Sequence, residues 1–412
     1  MQNLARYQHL QTIAQQVLYF ENTTEWLLTK YFRKHQNLGK QDRHFISDSI
    51  YTLLRNRETI QGYLVKTQKL SLVNQINIAV GLAFYEHKDL YYIDLLEDFL
   101  DYQQNSVAVN EQAELPMWIV QLLSEKLNNQ DIIELGQSLK NTAPVDIRTN
   151  TIKIKRDELI QKLKENNILS TKTPYSPWGI RLQGNHPRLT QYPFYKEGLF
   201  EIQDEGSQLI AYLSQPKKNQ NIIDFCAGTG GKTLAIGAML NNRGSIYAFD
   251  VEANRLNQLK LRLKKSKLNN IYPILIQNEK DEKLRKFQQK YDIILIDAPC
   301  SGLGTIRRQP DLKYRNSPST IQKMTEKQLS ILNEAEKLCH SSGKLVYATC
   351  SILPQENEYI IQKFLRSHTN YQLIDCQKYL SGITMNKNDM GIYLNPLLTQ
   401  TDGFYIAIMK KN

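Results

Sequence analysis

From Asn221 onward, short apolar runs alternate with amphipathic segments, and this alternation restricts the C-terminal half of the chain to very few architectures. NIIDF is followed by a helical pattern through Met239 and SIYAFD by another through Lys265; then come YPILIQ, YDIILIDA with a long helical pattern to Cys339, and GKLVYATCS with one to Phe364. Strand–helix–strand repetition of this kind predicts an α/β, Rossmann-like, doubly wound core with a parallel sheet over residues 216–412. Ligands of such sheets bind beyond the carboxyl ends of the strands. The residues that follow each run therefore carry most of the functional information.

The 412 residues are two to three times an ordinary domain length, so further domains are expected upstream. Leu10, Ile13, Ala14, Val17 and Leu18 follow the spacing of one buried helical face. Similar faces recur at Trp26, Leu27 and Phe32, at Phe45, Ile46, Ile50 and Leu53, at Ile76, Val80 and Ala83, and at Trp118, Ile119, Leu122 and Leu123, which predicts an all-α domain over 1–140. Between them, residues 141–215 read as a small α+β module, with strand-like VDIRTNTIKI, GIRL and GLFEIQ around helical KRDELIQKLKEN and DEGSQLIAYL.

Hydrophobic residues at 41% and charged residues at 23% exclude a disordered or fibrous chain. No apolar run approaches the roughly 20 residues of a membrane span, and the first twenty residues have polar residues scattered throughout instead of a signal-peptide apolar block, so a cytoplasmic protein is expected. Five scattered cysteines without a C-x-x-C pair argue against a disulfide framework and against structural zinc; no metal is expected. The net charge of +11 is unevenly spread: residues 1–145 carry 13 Lys and Arg against 16 Asp and Glu, and residues 146–412 carry 39 against 25. A positive C-terminal region suits a polyanionic partner, although surplus lysine also serves plain solubility. The local basic cluster Arg33, Lys34, Lys40, Arg43, Arg55 and Arg57 reads as a solvated face, with RNA contact as the alternative.

After the first core strand stands Asp224-Phe225-Cys226-Ala227-Gly228-Thr229-Gly230-Gly231-Lys232-Thr233. Glycines in a strand-to-helix turn let backbone N–H groups approach a ligand closely. The string nearly spells the nucleotide P-loop, so an ATPase is a rival reading, but Cys226 occupies the place of its first glycine. Asp250 ends the next strand, twenty residues after Gly230, where an acidic residue suits a ribose diol. The pair points to an adenosine-containing cofactor. The fourth run ends Asp297-Ala298-Pro299-Cys300-Ser301-Gly302 and the fifth Thr349-Cys350-Ser351; neighbouring strands about 4.8 Å apart would bring one carboxylate and two thiols together. Cys226, Cys339 and Cys376 read as small buried hydrophobes by contrast.

These segments resemble the Sun/Fmu family of bacterial RNA cytosine-5 methyltransferases. DFCAGTGGKT, DAPCSGLGTIRRQPDLKYR and LVYATCSILPQENE are similar to the family's motifs, as are RTN at 148–150, QDEGSQL at 203–209 and DGFYIA at 402–407. LGKQDRHFISDSIYTLLR at 38–55 is similar to the family's N-terminal module, itself like the antitermination factor NusB.

The resemblance implies S-adenosyl-L-methionine as cofactor, contacted by Cys226, Ala227, Gly228, Thr229, Gly230, Lys232, Asp250 and Asp297. It implies Cys350 as the nucleophile that adds to carbon 6 of the cytosine, Asp297 as hydrogen-bond partner of its N3 edge, Lys232 as the cation beside Asp297, and Cys300 as the cysteine that assists release. Where the family shows an acidic residue for the adenine, this chain has Gln277-Asn278-Glu279, and Asn278 is the candidate contact. The cytosine must be single-stranded or flipped out. Arg307, Arg308, Lys313 and Arg315 are the candidate phosphate contacts. The NusB-like module tilts the substrate toward small-subunit (16S) ribosomal RNA, with transfer RNA as the alternative and a non-catalytic RNA-binding antitermination factor as the rival of another class. The chain is expected to act as a monomer.

Overall fold

A computed structural model describes residues 3–84, 93–106, 108–184, 189–376, 379–380 and 390–411. The chain divides into two compact units, one formed by Met1–Thr142 with Thr305–Pro318 and the other by Ala143–Gly304 with Ser319–Asn412.

Among its described residues the first unit contains helices and no strand, led by Asn3–Val17, Thr24–Lys34, Lys40–Arg55, Arg57–Lys66 and Leu72–Ala83. Leu10, Ile13, Ala14 and Val17 are buried against Leu28, Ile46, Ile50, Ile76 and Val80, as their spacing predicts. Side-chain caps fix two helix starts: the Thr23 hydroxyl accepts the Trp26 N–H at 3.2 Å and the Ser71 hydroxyl accepts the Asn74 N–H at 3.0 Å. Trp26 departs from the expected stripe. It is exposed under the Lys30 ammonium, and Thr24, Leu27, Leu28 and Tyr31 form the buried face instead. Arg33, Lys34 and Lys40 are exposed as expected, whereas Arg43, Arg55 and Arg57 lie over the rings of Phe32, Tyr51 and Phe20.

Residues 305–318 complete this unit, which corrects two of the expected phosphate contacts. Lys313 is 2% exposed, and its ammonium donates to the Glu114 carbonyl at 2.6 Å; burial draws its pKa down to about 8. Arg307 is 4% exposed, and its carbonyl accepts from Arg55. Tyr314 packs against Phe20 and beneath Arg57, and the Asp311 carboxylate accepts the Thr24 N–H. A basic sequence pattern does not distinguish a cation facing solvent from one that is sunk into a helical core. Arg308 is half-buried, and Arg315 is exposed, 3.6 Å from Asp311.

In the second unit the described residues form two sheets. The smaller is antiparallel, in the order β2 (Ser170–Lys172), β3 (Gly179–Leu182), β1 (Asp146–Thr149), β4 (Phe200–Ile202). The larger runs β10 (Tyr371–Leu373), β12 (Phe404–Lys411), β9 (Cys339–Thr349), β8 (Tyr291–Asp297), β5 (Asn221–Asp224), β6 (Ser245–Asp250), β7 (Ile271–Leu275), with β11 (Ile392–Leu394) against β12. Strands β5 to β9 are parallel and β10 to β12 are antiparallel additions at one edge. The order reverses at β5, which has β6 and β8 on its two sides, so the crevice for a ligand lies beyond its carboxyl end. Cys339 opens β9 instead of ending a helix: a register irregularity at Tyr291/Ile293 lets the strand continue back to pair Cys339 with Tyr291.

The small sheet is tied to the large one by buried polar groups. The Arg148 guanidinium donates to the Gln203 side chain and the Gly231 carbonyl, both at 2.5 Å, and Asn150 donates to the carbonyls of Gly198 and Ser266, each at 2.9 Å. The RTN and QDEGSQL segments thus hold the module to the helix Gly231–Leu240 that opens the crevice.

Candidate active site

The pairing register places the reactive side chains. Asp297 stands opposite Ala348, and the Ala298 N–H bonds the Ala348 carbonyl at 2.8 Å, so the chains leaving β8 and β9 run out side by side. Three residues beyond Asp297 and two beyond Ala348, the Cys300 and Cys350 sulfurs lie 3.3 Å apart. Both residues are partly exposed, whereas Cys339 and Cys376 are buried. The thiol–thiol hydrogen bond, with burial, pushes the Cys300 thiol well above its ordinary value.

Lys232 enters from the first turn of the helix Gly231–Leu240, and its ammonium lies 2.7 Å from Asp297 Oδ2. Burial works against that charge, but the Asp297 carboxylate outweighs it, and the Lys232 pKa is raised; the ammonium also feels Cys350 and Asp224. A P-loop lysine would serve phosphates. This one serves a carboxylate at the end of the neighbouring strand.

The glycine turn is shaped from both sides. Gly230 has φ +86°, and a Cβ there would lie 2.2 Å from Leu259; Gly228 has φ +55°, and a Cβ there would meet nothing within 4 Å. The turn is thus packed behind and open in front. Asp250 accepts the Gly228 N–H at 2.7 Å on one carboxylate oxygen and the Glu252 N–H at 2.8 Å on the other, which keeps both oxygens at the mouth of the turn. The Ala227 N–H bonds the Phe249 carbonyl, and the Thr229 carbonyl accepts from Arg262 at 2.7 Å. Cys226 is half-buried; burial, followed by the surrounding carboxylates, pushes its thiol up. An open cradle of backbone groups with a fixed carboxylate fits an adenosine cofactor. Asn278 is exposed after β7, with its side-chain oxygen accepting the Lys280 N–H, while Glu279 turns inward to Lys327 and Ser330 of the helix Pro318–Glu336.

Asp224, beneath these groups, is 1% exposed, and burial raises its carboxyl to about 7 against the opposing Thr233 hydroxyl at 2.6 Å. The native chain therefore holds this proton more tightly than the unfolded one does. The stabilisation is full below about pH 3.8 and is lost as the pH rises to about 7. Asp224→Asn keeps an oxygen for Thr233 and cannot ionise. Its melting temperature relative to the parent is expected to climb by roughly 5 °C between pH 5 and pH 8; a difference that stays constant with pH would show that Asp224 titrates normally.

A parallel sheet with an open glycine turn after β5 and an acidic residue ending β6 is the frame of an adenosine-cofactor enzyme, and the matches that follow make its class that of the S-adenosyl-L-methionine-dependent methyltransferases. A family model described as 16S rRNA methyltransferase RsmB/F matches residues 211–410, and one described as the ferredoxin-like domain of RsmF/B-like methyltransferases matches residues 115–187. A probable ribosomal RNA small subunit methyltransferase B of Synechocystis sp. is 32% identical over 309 residues, 75% of this chain and 69% of the relative. Ribosomal RNA small subunit methyltransferase B of Cronobacter sakazakii is 28% identical over 413 residues, 98% of this chain and 90% of the relative. Among solved structures, a methyltransferase homolog protein from Pyrococcus horikoshii has a TM-score of 0.60 at 27% identity, covering 72% of this chain and 99% of that one. NSun6 from the same organism, determined with SFG, has a TM-score of 0.64 at 22% identity over 72% of this chain and 98% of that one. The chain belongs to the ribosomal RNA small subunit methyltransferase B family. It is an RNA methyltransferase, and S-adenosyl-L-methionine is its cofactor.

Of the residues singled out in the sequence, Lys232, Asp297, Cys300 and Cys350 come together, and Cys226 to Gly230 with Asp250 form the adjoining cradle. Arg307 and Lys313 fall into the helical core of the first unit instead. Sequence reading missed Glu356, Gln328, Ser301 and Ser351, which are buried and mutually bonded behind the two cysteines. Their only signal was a serine after each cysteine and the acidic QENE four residues downstream.

Proposed function

We propose that the chain methylates carbon 5 of a cytosine in small-subunit (16S) ribosomal RNA through a transient bond from Cys350 to carbon 6. The observation that carries this reading is the pair of sulfurs 3.3 Å apart, beside an ammonium–carboxylate pair at 2.7 Å, at the edge where a cofactor cradle opens. Carbon 5 of cytosine is a weak nucleophile, and addition of the Cys350 thiolate to carbon 6 pushes electron density onto it. The Lys232 ammonium lies within electrostatic reach of Cys350. Asp297 accepts a hydrogen bond from the amino group of the ring and shares a proton with N3, so that N3 is protonated as the thiolate adds and the negative charge of the adduct is neutralised. S-adenosyl-L-methionine, when bound, supplies the methyl group as an electrophilic sulfonium. The carbon 5 proton then leaves, the carbon 6–sulfur bond breaks, Cys350 departs as thiolate, and Cys300 assists that release.

The cradle of Cys226, Ala227, Gly228, Thr229, Gly230 and Asp250 holds the adenosine part, with Asn278 toward the adenine edge. A base inside a helix cannot present carbon 6 to a thiol, so the target cytosine is single-stranded or flipped. Arg308 and Arg315 remain as phosphate contacts, and residues 1–140 form a NusB-like module that helps select the RNA, ahead of a module at 141–215 and the methyltransferase domain at 216–412. The enzyme works as a cytoplasmic monomer without a metal ion. The names of its relatives favour ribosomal over transfer RNA.

Bisulfite sequencing of RNA from cells lacking the gene tests the substrate. One protected cytosine in 16S ribosomal RNA is expected to become convertible. A lost signal in transfer RNA, with 16S RNA unchanged, overturns the substrate.

A further inference from the structure

We infer that Glu356 is a positioning residue that sets the separation of the Cys300 and Cys350 sulfurs. The inference rests on the pairing of these two thiols in the reaction proposed above. Glu356 is 0% exposed, at the turn that precedes the helix Glu358–Ser367, and touches neither sulfur. Its carboxylate instead accepts four hydrogen bonds from the residues around them. One oxygen takes the Ser301 N–H at 2.8 Å and the Gln328 amide at 3.0 Å; the other takes the Ser301 and Ser351 hydroxyls, each at 2.5 Å.

Ser301 directly follows Cys300 and Ser351 directly follows Cys350, and both hydroxyls end on the same carboxylate oxygen. Two loops leaving different strands are thus joined one residue beyond each cysteine. Gln328 adds a third tie, because its amide also donates to the Pro299 carbonyl at 2.9 Å, one residue before Cys300. Pinning the backbone on both sides of Cys300 and just after Cys350 fixes the directions of their Cα–Cβ bonds, and with them the 3.3 Å between the sulfurs. A carboxylate buried only to join surface loops would not need to collect donors that flank both reactive residues.

The consequence concerns geometry, so the test reads geometry. Diamide, a diazene, is attacked by one thiol to give a sulfenyl hydrazine, which the second thiol displaces as the hydrazine while the S–S bond closes; at diamide concentrations where the first capture is fast, the second step sets the rate of closure and reports how near the sulfurs are held. In the full-length enzyme the Cys300–Cys350 disulfide, located by peptide mass mapping, is expected to form readily. In Glu356→Leu, which offers no acceptor to the four donors, closure is expected to be at least 10-fold slower while S-adenosyl-L-methionine affinity stays within about twofold. Glu356→Gln is expected to restore closure to within about threefold, since its amide oxygen serves Ser301 N–H and Gln328 and the two hydroxyls turn to accept from its NH2. A merely structural role would not separate closure rate from cofactor affinity in this way.

A Glu356→Leu variant that binds the cofactor and closes the disulfide at the parent rate overturns the inference, as does a parent enzyme that forms no such disulfide. If Glu356→Leu binds no cofactor, the double variant Ser301→Ala, Ser351→Ala decides: at least threefold slower closure supports the role, and the parent rate overturns it. None of these measurements uses RNA. A failure to methylate cytosine would therefore sink the proposed reaction while leaving the closure rates to judge Glu356.

Discussion

Cys350→Ser is expected to abolish methyl transfer, with turnover of labelled cofactor onto RNA lower by more than about 10³-fold. A hydroxyl is far less acidic and less nucleophilic than a thiol, and nothing at the end of β9 compensates: the ammonium that faces Cys350 is engaged by Asp297 at 2.7 Å. Cys300→Ser should behave differently, because the thiol proposed to assist release is then missing while the one proposed to attack remains. A protein–RNA adduct that survives a denaturing gel should accumulate. An adduct with Cys350→Ser and none with Cys300→Ser would exchange the two roles, and parent-like turnover by Cys350→Ser would end the covalent mechanism.

Asp297→Asn is expected to lower kcat/KM by about 10²–10³-fold. The substitution acts twice. It removes the carboxylate proposed to hold the pyrimidine edge, and it leaves the Lys232 ammonium, 12% exposed, facing a neutral amide. With its ionic partner gone, burial is free to draw the Lys232 pKa down, so the alkaline limb of the pH–rate profile should move to lower pH. Activity within threefold of the parent, with an unmoved alkaline limb, would remove Asp297 from the chemistry.

The parallel core was legible because each of its strands is a separate apolar run and all but β7 are followed by a helix, and the crevice follows from that rhythm. Asp250, Asp297, Cys300 and Cys350 could be found for the same reason, since each directly follows an apolar run. Burial of polar groups was not legible. Lys313 and Arg307 look like any surface cations, and Glu356 looks like one acid in an acidic stretch; what distinguishes them is the burial that the fold imposes and, for Lys313 and Glu356, the close hydrogen-bond partners it supplies. The short strand Ser170–Lys172 was missed because three half-polar residues form no pattern of their own and are strand only by pairing with Gly179–Leu182.

The fourteen residues Thr305–Pro318 leave the methyltransferase unit directly after the Cys300 loop, are built into the helical unit, and then return. The helical unit is therefore not an appendage that a cut at Thr142 can remove. Such a truncation would carry off Glu114, Phe20 and Arg57 and leave Lys313 and Tyr314 stripped of their partners, in the segment that follows the Cys300 loop. Loss of activity in that shortened chain would speak of a frayed loop as much as of lost RNA recognition.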